Sequence, residues 1–90
     1  MNNKRNKPEI ILDILLAISN ANNHIKVTHI LRKANISHET FKKYSKELES
    51  KDYIKITEIK KQFFYSLTSK GYQQISKLKP LREFMKSFNL

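Results

Sequence analysis

Lysine side chains form the strongest chemical pattern in the sequence. Lys42, Lys43 and Lys46 lie close together, and Lys60 and Lys61 are adjacent further along the chain. Residues three or four positions apart share one face of a helix, so the first group would give a helix a cationic side. Clustered ammonium groups attract anions, phosphate among them, and do not by themselves break bonds.

Residues that could catalyse a reaction or hold a metal are few. The chain has no cysteine, and its three histidines are His24, His29 and His38. None of the histidines shows a metal-ligand spacing or an accompanying carboxylate pattern. The sequence also lacks a glycine-rich phosphate loop, a nucleophile elbow and a pair of carboxylates placed for acid–base work. We therefore expect no enzyme, no catalytic residue, no metal, no cofactor and no small-molecule ligand.

The net charge points in the same direction as the lysine clusters. Lys and Arg number 18 and Asp and Glu number 8 in 90 residues, which gives +10 at pH 7. Such an excess implies a polyanionic partner or an anionic surface. The stretch 26–61 holds ten of the bases and five of the acids, a local charge of +5, and the stretch 70–86 is also basic.

The length allows one domain with a single core. The longest apolar stretch, residues 10–18, is too short to span a bilayer and contains Asp13. The basic amino terminus is not followed by the apolar segment and cleavage site of a signal peptide. We therefore expect a soluble cytoplasmic protein without a membrane partner.

Apolar spacing and capping residues predict three helices in the first half. Helix 1 is expected from about Pro8 to Ala21, because isoleucines and leucines recur on one face. Residues 25–27 are typical of a short strand, and Thr28 is expected to cap helix 2. Ser37 is expected to cap helix 3 over 38–51, whose apolar face carries Phe41, Tyr44 and Leu48.

The second half changes period and predicts a hairpin followed by a helix. Residues 53–59 and 63–67 are the expected strands, joined by a polar turn at 60–62. Alternation on the second strand assigns Phe63, Tyr65 and Leu67 to the core and leaves Phe64 open. Thr68 is expected to cap the last helix, and Pro80 is expected to kink or break it.

This order of elements is that of a winged helix-turn-helix domain. We expect an α+β fold, mainly α, with a two- or three-stranded wing and a C-terminal dimerisation helix. The expected division is a flexible basic arm over 1–7, the winged helix-turn-helix domain over 8–68 and the C-terminal helix over 69–90.

Residues 9–78 resemble the archaeal winged helix-turn-helix transcriptional-regulator family. The resemblance rests on EIILDILLAI, THILRKANIS and FKKYSKELESKDYI, and most strongly on FYSLTSKGYQQI. It implies a small basic dimeric DNA-binding protein of the nucleoid with a C-terminal coiled-coil helix. Asp52 stands where the family usually has Gly, and we expect it to adopt the left-handed conformation. Ser45 replaces a residue that is often apolar, and we expect that edge of helix 3 to be less buried.

In a helix-turn-helix the second helix enters the major groove and its first residues approach base edges. We therefore predict that His38, Glu39 and Thr40 read bases, that the helix 3 lysines contact phosphates, and that wing residues 59–63 meet the backbone or minor groove. The alternative is that Glu39 and Lys43 pair on a solvated face. The predicted DNA-contacting set is Arg32, Lys33, Ser37, His38, Glu39, Thr40, Lys42, Lys43, Lys46, Lys60, Lys61 and Gln62.

The last helix carries a short seam of the coiled-coil type. Its apolar positions predict a homodimer interface made by Ile75, Leu78, Leu81, Met85 and Phe88. The alternative is that this helix folds back on helix 1. A homodimer would present two recognition helices to two half-sites of double-stranded DNA.

Three functions remain open at this point. The favoured one is a sequence-selective transcriptional regulator that binds DNA as a homodimer. A non-specific architectural chromatin-type protein also fits the charge and the scarcity of Arg, Asn and Gln on helix 3. A winged-helix module that binds protein is the third, and the positive charge of helix 3 argues against it.

Overall fold

The computed structural model describes residues 5–22 and 24–88, which form four helices and one antiparallel three-stranded sheet. The strand order is β1-β3-β2. The predicted mainly helical winged helix-turn-helix fold is therefore confirmed. In chain order the elements are α1 (Lys7–Asn20), β1 (Ile25–Lys26), α2 (Val27–Ala34), α3 (His38–Ser50), β2 (Ile54–Ile59), β3 (Gln62–Leu67) and α4 (Ser69–Ser87).

The hydrophobic core is built around α1. The α1 helix packs against α2, α4 and β3, so its apolar face is covered along its whole length. Phe41 of α3 is 2% exposed, and its ring meets Tyr65 of β3 edge-on with 5.2 Å between ring centroids. This contact fixes α3 against the sheet and leaves the opposite face of α3 to solvent. The buried apolar residues are Leu12, Ile14, Leu15, Ala17, Ile18, Ile25, Ile30, Ala34, Phe41, Leu48, Ile54 and Leu67.

Two of the three predicted helix caps are confirmed. The Ser37 hydroxyl accepts the Thr40 backbone N–H, and the Thr68 hydroxyl accepts the Gly71 N–H, each at 3.1 Å. The predicted cap at Thr28 is wrong, because α2 already begins at Val27. Pairing of β1 with β3 ends at Lys26, and the chain turns directly from that strand into the helix.

Left-handed backbone positions make the turns between elements. Asn35 (φ 55°) ends α2, and Asp52 (φ 62°) adopts the predicted left-handed conformation between α3 and β2. Lys60 and Lys61 (φ 51° and 65°) alone form the turn of the hairpin, because Gln62 is already paired with Ile59 in the sheet. The turn is thus one residue shorter than the three-residue turn predicted at 60–62.

The last helix is placed by a close approach of two backbones. Gly71 in its first turn is buried, and a Cβ at this position would collide with the Tyr53 carbonyl oxygen. Further along, α4 continues through Pro80, so the predicted break does not occur. Ser76 and Pro80 are exposed, so water can bond the Ser76 carbonyl group that lacks a partner N–H. Residues 89 and 90 of the predicted helix lie outside the described residues.

Candidate nucleic-acid interface

The α3 helix presents its lysines outward because its other side is anchored in the core. Phe41 and Leu48 are buried, while Lys42, Lys43 and Lys46 are exposed. Ser45 is only 8% exposed, so the prediction of a less buried edge is wrong. Its small side chain is buried, and its hydroxyl donates to the Lys42 carbonyl oxygen at 3.3 Å. This bond satisfies the polar group at low cost.

The exposed lysines of α3 are not neutralised by neighbouring acids. Glu39 lines one shallow depression together with Lys42, Lys43 and Lys46. Within residues 5–22 and 24–88, none of these three lysines forms an ion pair, and the i,i+4 pair of Glu39 and Lys43 is not made. The Lys43 ammonium instead lies 5.4 Å from the ring centroid of Tyr44. The depression therefore keeps its positive charge.

The first turn of α3 contains the side chains predicted to read bases. His38 and Glu39 are exposed there. Ser37 and Thr40 are engaged with each other, since the Ser37 hydroxyl accepts the Thr40 N–H and donates to the Thr40 hydroxyl at 3.0 Å. The cap thus uses both hydroxyls, which leaves His38 and Glu39 as the more accessible polar groups at this end of the helix.

The wing carries two lysines at its tip in a strained turn. Both Lys60 and Lys61 have positive φ, a conformation that Asn and Gly adopt more readily. A two-residue turn of this kind matches the twist of the paired strands. It also places both exposed side chains at the end of the hairpin. Lys60 and Lys61, together with Lys42, Lys43 and Lys46, are called the lysine face below.

Phe63 and Phe64 occupy opposite faces of β3. Phe63 is 53% exposed, so its predicted place in the core is wrong. It lies near the wing tip, where the helices no longer cover the sheet. Phe64, whose place was left open, is half-buried and stacks on His24 with 4.6 Å between centroids and 6° between planes. The Lys26 ammonium lies 5.9 Å from the Phe64 ring centroid.

The two remaining predicted contacts, Arg32 and Lys33, are exposed in the last turn of α2. The helix-turn-helix connection follows at once, with Asn35 in the left-handed conformation. Both side chains are therefore next to the turn that leads into α3. They lie on a different element from the lysine face.

The ion pairs found among the described residues form two clusters that do not include the lysine face. Asp13 of α1 binds Arg5 at 2.7 Å and also pairs with Arg82 of α4. Arg5 donates further bonds to the carbonyl oxygens of Ala34 and Asn35, both at 2.6 Å. Arg5 is thus fixed against α1 and the helix-turn-helix connection, and residues 1–4 of the predicted basic arm lie outside the described residues.

The second cluster centres on Glu47 of α3. Its carboxylate pairs with Lys7 at 3.0 Å and with Lys51 at 3.4 Å. The hydrogen bond from Lys7 lowers the pKa of Glu47, and the positive charges of Lys7 and Lys51 add to that shift. The Asp13 and Glu47 clusters together are called the ion-pair side below. They account for the ion pairs found among the described residues.

The predicted dimer seam is divided by the way α4 packs. Ile75 and Leu78 are half-buried against the chain's own core, and the Asn6 amide donates to the Met85 sulfur at 3.5 Å. Leu81 and Phe88 are exposed. One face of α4 therefore packs on α1, as the alternative to the dimer seam expected.

The sequence reasoning missed Phe84, which is 56% exposed and lies next to Phe88 with 5.0 Å between ring centroids. Leu81, Phe84 and Phe88 follow one another at spacings of three and four, which is a helical signal that could have identified the stripe. We call these three residues the α4 stripe. It is a separate face from the one that packs on α1.

The described part of the chain holds neither a cluster of metal-binding side chains nor a helix that could span a membrane. No group of three or more His, Asp or Glu side chains in it could hold a metal ion. No helix among residues 5–22 and 24–88 is long and apolar enough to cross a membrane.

The capped helix pair, the hairpin and the strand order define a winged helix-turn-helix protein. The chain belongs to the winged helix-turn-helix family, which it matches over residues 4–86. None of the curated proteins matches the chain.

Solved structures share the fold at low sequence identity. Sso10a-2, a DNA-binding protein from Sulfolobus solfataricus, has a TM-score of 0.84 at 21% identity, with 94% of this chain and 86% of that chain covered. SSV1 F-93 has a TM-score of 0.69 at 24% identity, with coverages of 98% and 99%. BpsR of Bordetella bronchiseptica, whose DNA binding is regulated by 6-hydroxynicotinic acid, has a TM-score of 0.79 at 12% identity, and this chain covers 58% of it.

Proposed function

We propose that this protein is a transcriptional regulator that binds double-stranded DNA as a homodimer, with α3 in the major groove and the wing on the backbone or minor groove. The observation that carries the proposal is the lysine face. Its side chains are exposed on two elements and form no ion pair among the described residues. Phosphate neutralisation by such lysines releases counterions and supplies much of the affinity for DNA.

The residues divide into two roles under this proposal. The lysine face, Arg32, Lys33 and Gln62 would contact phosphates and set the register on the duplex. His38 and Glu39 would approach base edges from the first turn of α3. Ser37 and Thr40 would act mainly by holding that turn in place, since their hydroxyls bond to each other.

The α4 stripe supports the homodimer. Leu81, Phe84 and Phe88 are 40%, 56% and 63% exposed and lie on one face of α4. A cluster of large apolar side chains that its own domain leaves uncovered is typical of an interaction site. A second copy that buries the stripe would bring two α3 helices to one duplex. Ile75 and Leu78 would then support the interface from the core side.

DNA titrations at several salt concentrations test the proposed function. We expect log affinity to fall linearly with log salt, with a slope of about −0.9 for each phosphate neutralised. A preferred site should exceed random DNA by about a thousandfold or more. Absence of DNA binding at near-physiological salt would contradict the proposal.

Sedimentation tests the homodimer. The variant Leu81→Glu, Phe84→Glu places charge in the α4 stripe and should sediment as a monomer. The matched control is Ser76→Glu, which adds charge at an exposed position of α4 outside the stripe. A dimer that survives the double change would show that another surface holds the two copies together.

One observation favours a second function, an architectural protein that coats DNA with little sequence preference. With the Ser37 and Thr40 hydroxyls used in the cap, the exposed face of α3 offers mainly lysines. Lysine contacts to phosphate carry no sequence information. Equal affinity for random and genomic DNA in the same titrations would favour this function over a sequence-selective regulator.

A further inference from the structure

Phe63 is the large apolar side chain of the wing that faces α3. Its backbone is paired with Glu58 of β2, and its side chain is 53% exposed. It lines a cleft of about 400 Å³ between α3 and the β1–β3 side of the sheet. The cleft therefore separates the two elements that carry the lysine face.

The walls of this cleft are apolar and its rim is basic. Phe41, Tyr65 and Val27 contribute apolar surface, and His38 and Lys42 stand at the α3 side. Burial raises the pKa of the Tyr65 hydroxyl, and the nearby Glu49 carboxylate adds to the shift, so this side chain stays neutral at pH 7. Among the described residues that line the cleft, none is acidic.

We propose that the cleft receives the sugar-phosphate backbone of one DNA strand, with the Phe63 ring packed on a deoxyribose. The inference rests on the proposed function. A duplex whose major groove holds α3 and whose backbone or minor groove meets the wing must pass one strand between these two elements. The cleft offers that strand an apolar surface for its sugar and the Lys42 ammonium for its phosphate.

The charges around the cleft favour a polyanion over an apolar peptide. Lys26 and Lys42 line it, and neither forms an ion pair among residues 5–22 and 24–88. Glu58 is the acid nearest to Phe63 in the strand register, but it is not among the residues that line the cleft. An alternating sugar and phosphate chain matches both the apolar walls and the basic rim.

Affinity measured as a function of salt separates an apolar contact from an ionic one. We expect Phe63→Ala to weaken DNA binding by about five- to tenfold, as follows from losing burial of roughly half a phenyl ring. The salt slope should stay unchanged, because no counterion release is lost. Lys42→Ala should instead reduce the magnitude of the slope by about 0.9 for each protomer bound.

The matched control is Tyr72→Ala. Tyr72 is an aromatic residue that is 44% exposed, and it lies on α4, outside the elements assigned to DNA contact. We expect this variant to bind DNA like the wild type. Phe63→Leu keeps an apolar side chain and should retain most of the affinity, and thermal unfolding of each variant checks that the hairpin is intact.

The outcome that would overturn this inference is a wild-type protein that binds DNA and a folded Phe63→Ala variant whose affinity is unchanged. Loss of affinity in Tyr72→Ala equal to that in Phe63→Ala would overturn it too, because the effect would not be specific to the cleft. Absence of binding by the wild type would instead contradict the proposed function itself. The two failures are therefore distinguishable.

Discussion

The two sides of this molecule use positive charge in opposite ways. On the ion-pair side, Arg5 and Arg82 share Asp13, and Lys7 and Lys51 share Glu47. On the lysine face, five lysines stand on α3 and at the wing tip without such partners among the described residues. On the ion-pair side, two carboxylates thus pair with four cations. The five lysines of the lysine face form no such pair with the exposed acids among the described residues.

The net charge of +10 therefore does not show which cations are available to a ligand. The same residue type stabilises the fold where an acid meets it, and remains available to a ligand where none does. Both arginines of the Asp13 cluster are largely buried, with side-chain exposures of 20% and 26%. Removing charges from the two sides should therefore have different consequences, the first for stability and the second for DNA binding.

The largest effect is expected from Asp13→Ala on the ion-pair side. This change leaves two largely buried guanidinium groups without their carboxylate and should lower the free energy of unfolding by about 2–3 kcal/mol. Urea unfolding measures it. The control is Glu83→Ala on α4, which removes an exposed carboxylate. Equal stability of the two variants would show that the Asp13 cluster contributes little.

The next effect is expected from Lys42→Ala, Lys43→Ala on the lysine face. DNA affinity should fall by about tenfold, and the salt slope should lose about 1.8 of its magnitude for each protomer bound. The free energy of unfolding should change by less than about 0.5 kcal/mol. The matched control is Lys7→Ala, Lys51→Ala, which removes two positive charges from the ion-pair side. If both double variants lose affinity equally, the distinction between the two sides does not hold for DNA.

A change at the wing tip should move stability and affinity in opposite directions. Lys60→Asn, Lys61→Gly relieves two left-handed lysines and should raise the free energy of unfolding by about 1 kcal/mol. The loss of two ammonium groups should weaken DNA binding. Lys60→Ala, Lys61→Ala removes the same charges but does not supply the favourable turn residues. This variant should bind DNA more weakly without a gain in the free energy of unfolding. Chemical unfolding and DNA titration of both variants decide the matter.

The smallest effect is expected from the titration of Glu47. Its pKa is lowered in the folded protein, so the stabilisation is present above the unfolded value of about 4.3 and is lost as the pH falls through the folded value. Glu47→Gln should therefore melt slightly below the wild type at neutral pH. The two melting temperatures should converge once the pH falls below the lowered pKa of Glu47, where the carboxylate of the wild type is protonated. A constant difference across this range would exclude an ionic origin.

Local signals in the sequence predicted most of the fold. The caps at Ser37 and Thr68 and the left-handed Asp52 depend on neighbours a few positions away, and all three are confirmed. The predicted burial of Phe63 and the predicted exposure of Ser45 were both wrong. Alternation and spacing give the direction of a side chain, but they do not say how far the neighbouring element extends to cover it. Phe63 extends beyond that cover, and Ser45 lies under it.

The position of the candidate site could be predicted from the sequence, but which charged side chains would be paired could not. Helical spacing and the turn identified the lysine face as a set of residues, and their contacts with DNA remain a prediction. Asp13 pairs with residues 8 positions before it and 69 positions after it, and no periodicity connects them. The cleft beside Phe63 was missed for the same reason, since it depends on the distance between α3 and the wing.

The Asp13 cluster also has a consequence for synthesis in the cell. Arg82 is the last of its three members to leave the ribosome, so a nascent chain cannot join α1, the helix-turn-helix connection and α4 through Asp13 before then. Until α4 arrives, the α1 surface that it covers stays accessible to chaperones and proteases. We expect chains truncated before residue 82 to be cleaved faster than the 90-residue chain, as limited proteolysis of the released chains would measure. The susceptibility of the chain to cellular proteases would then depend on whether Arg82 has been synthesised.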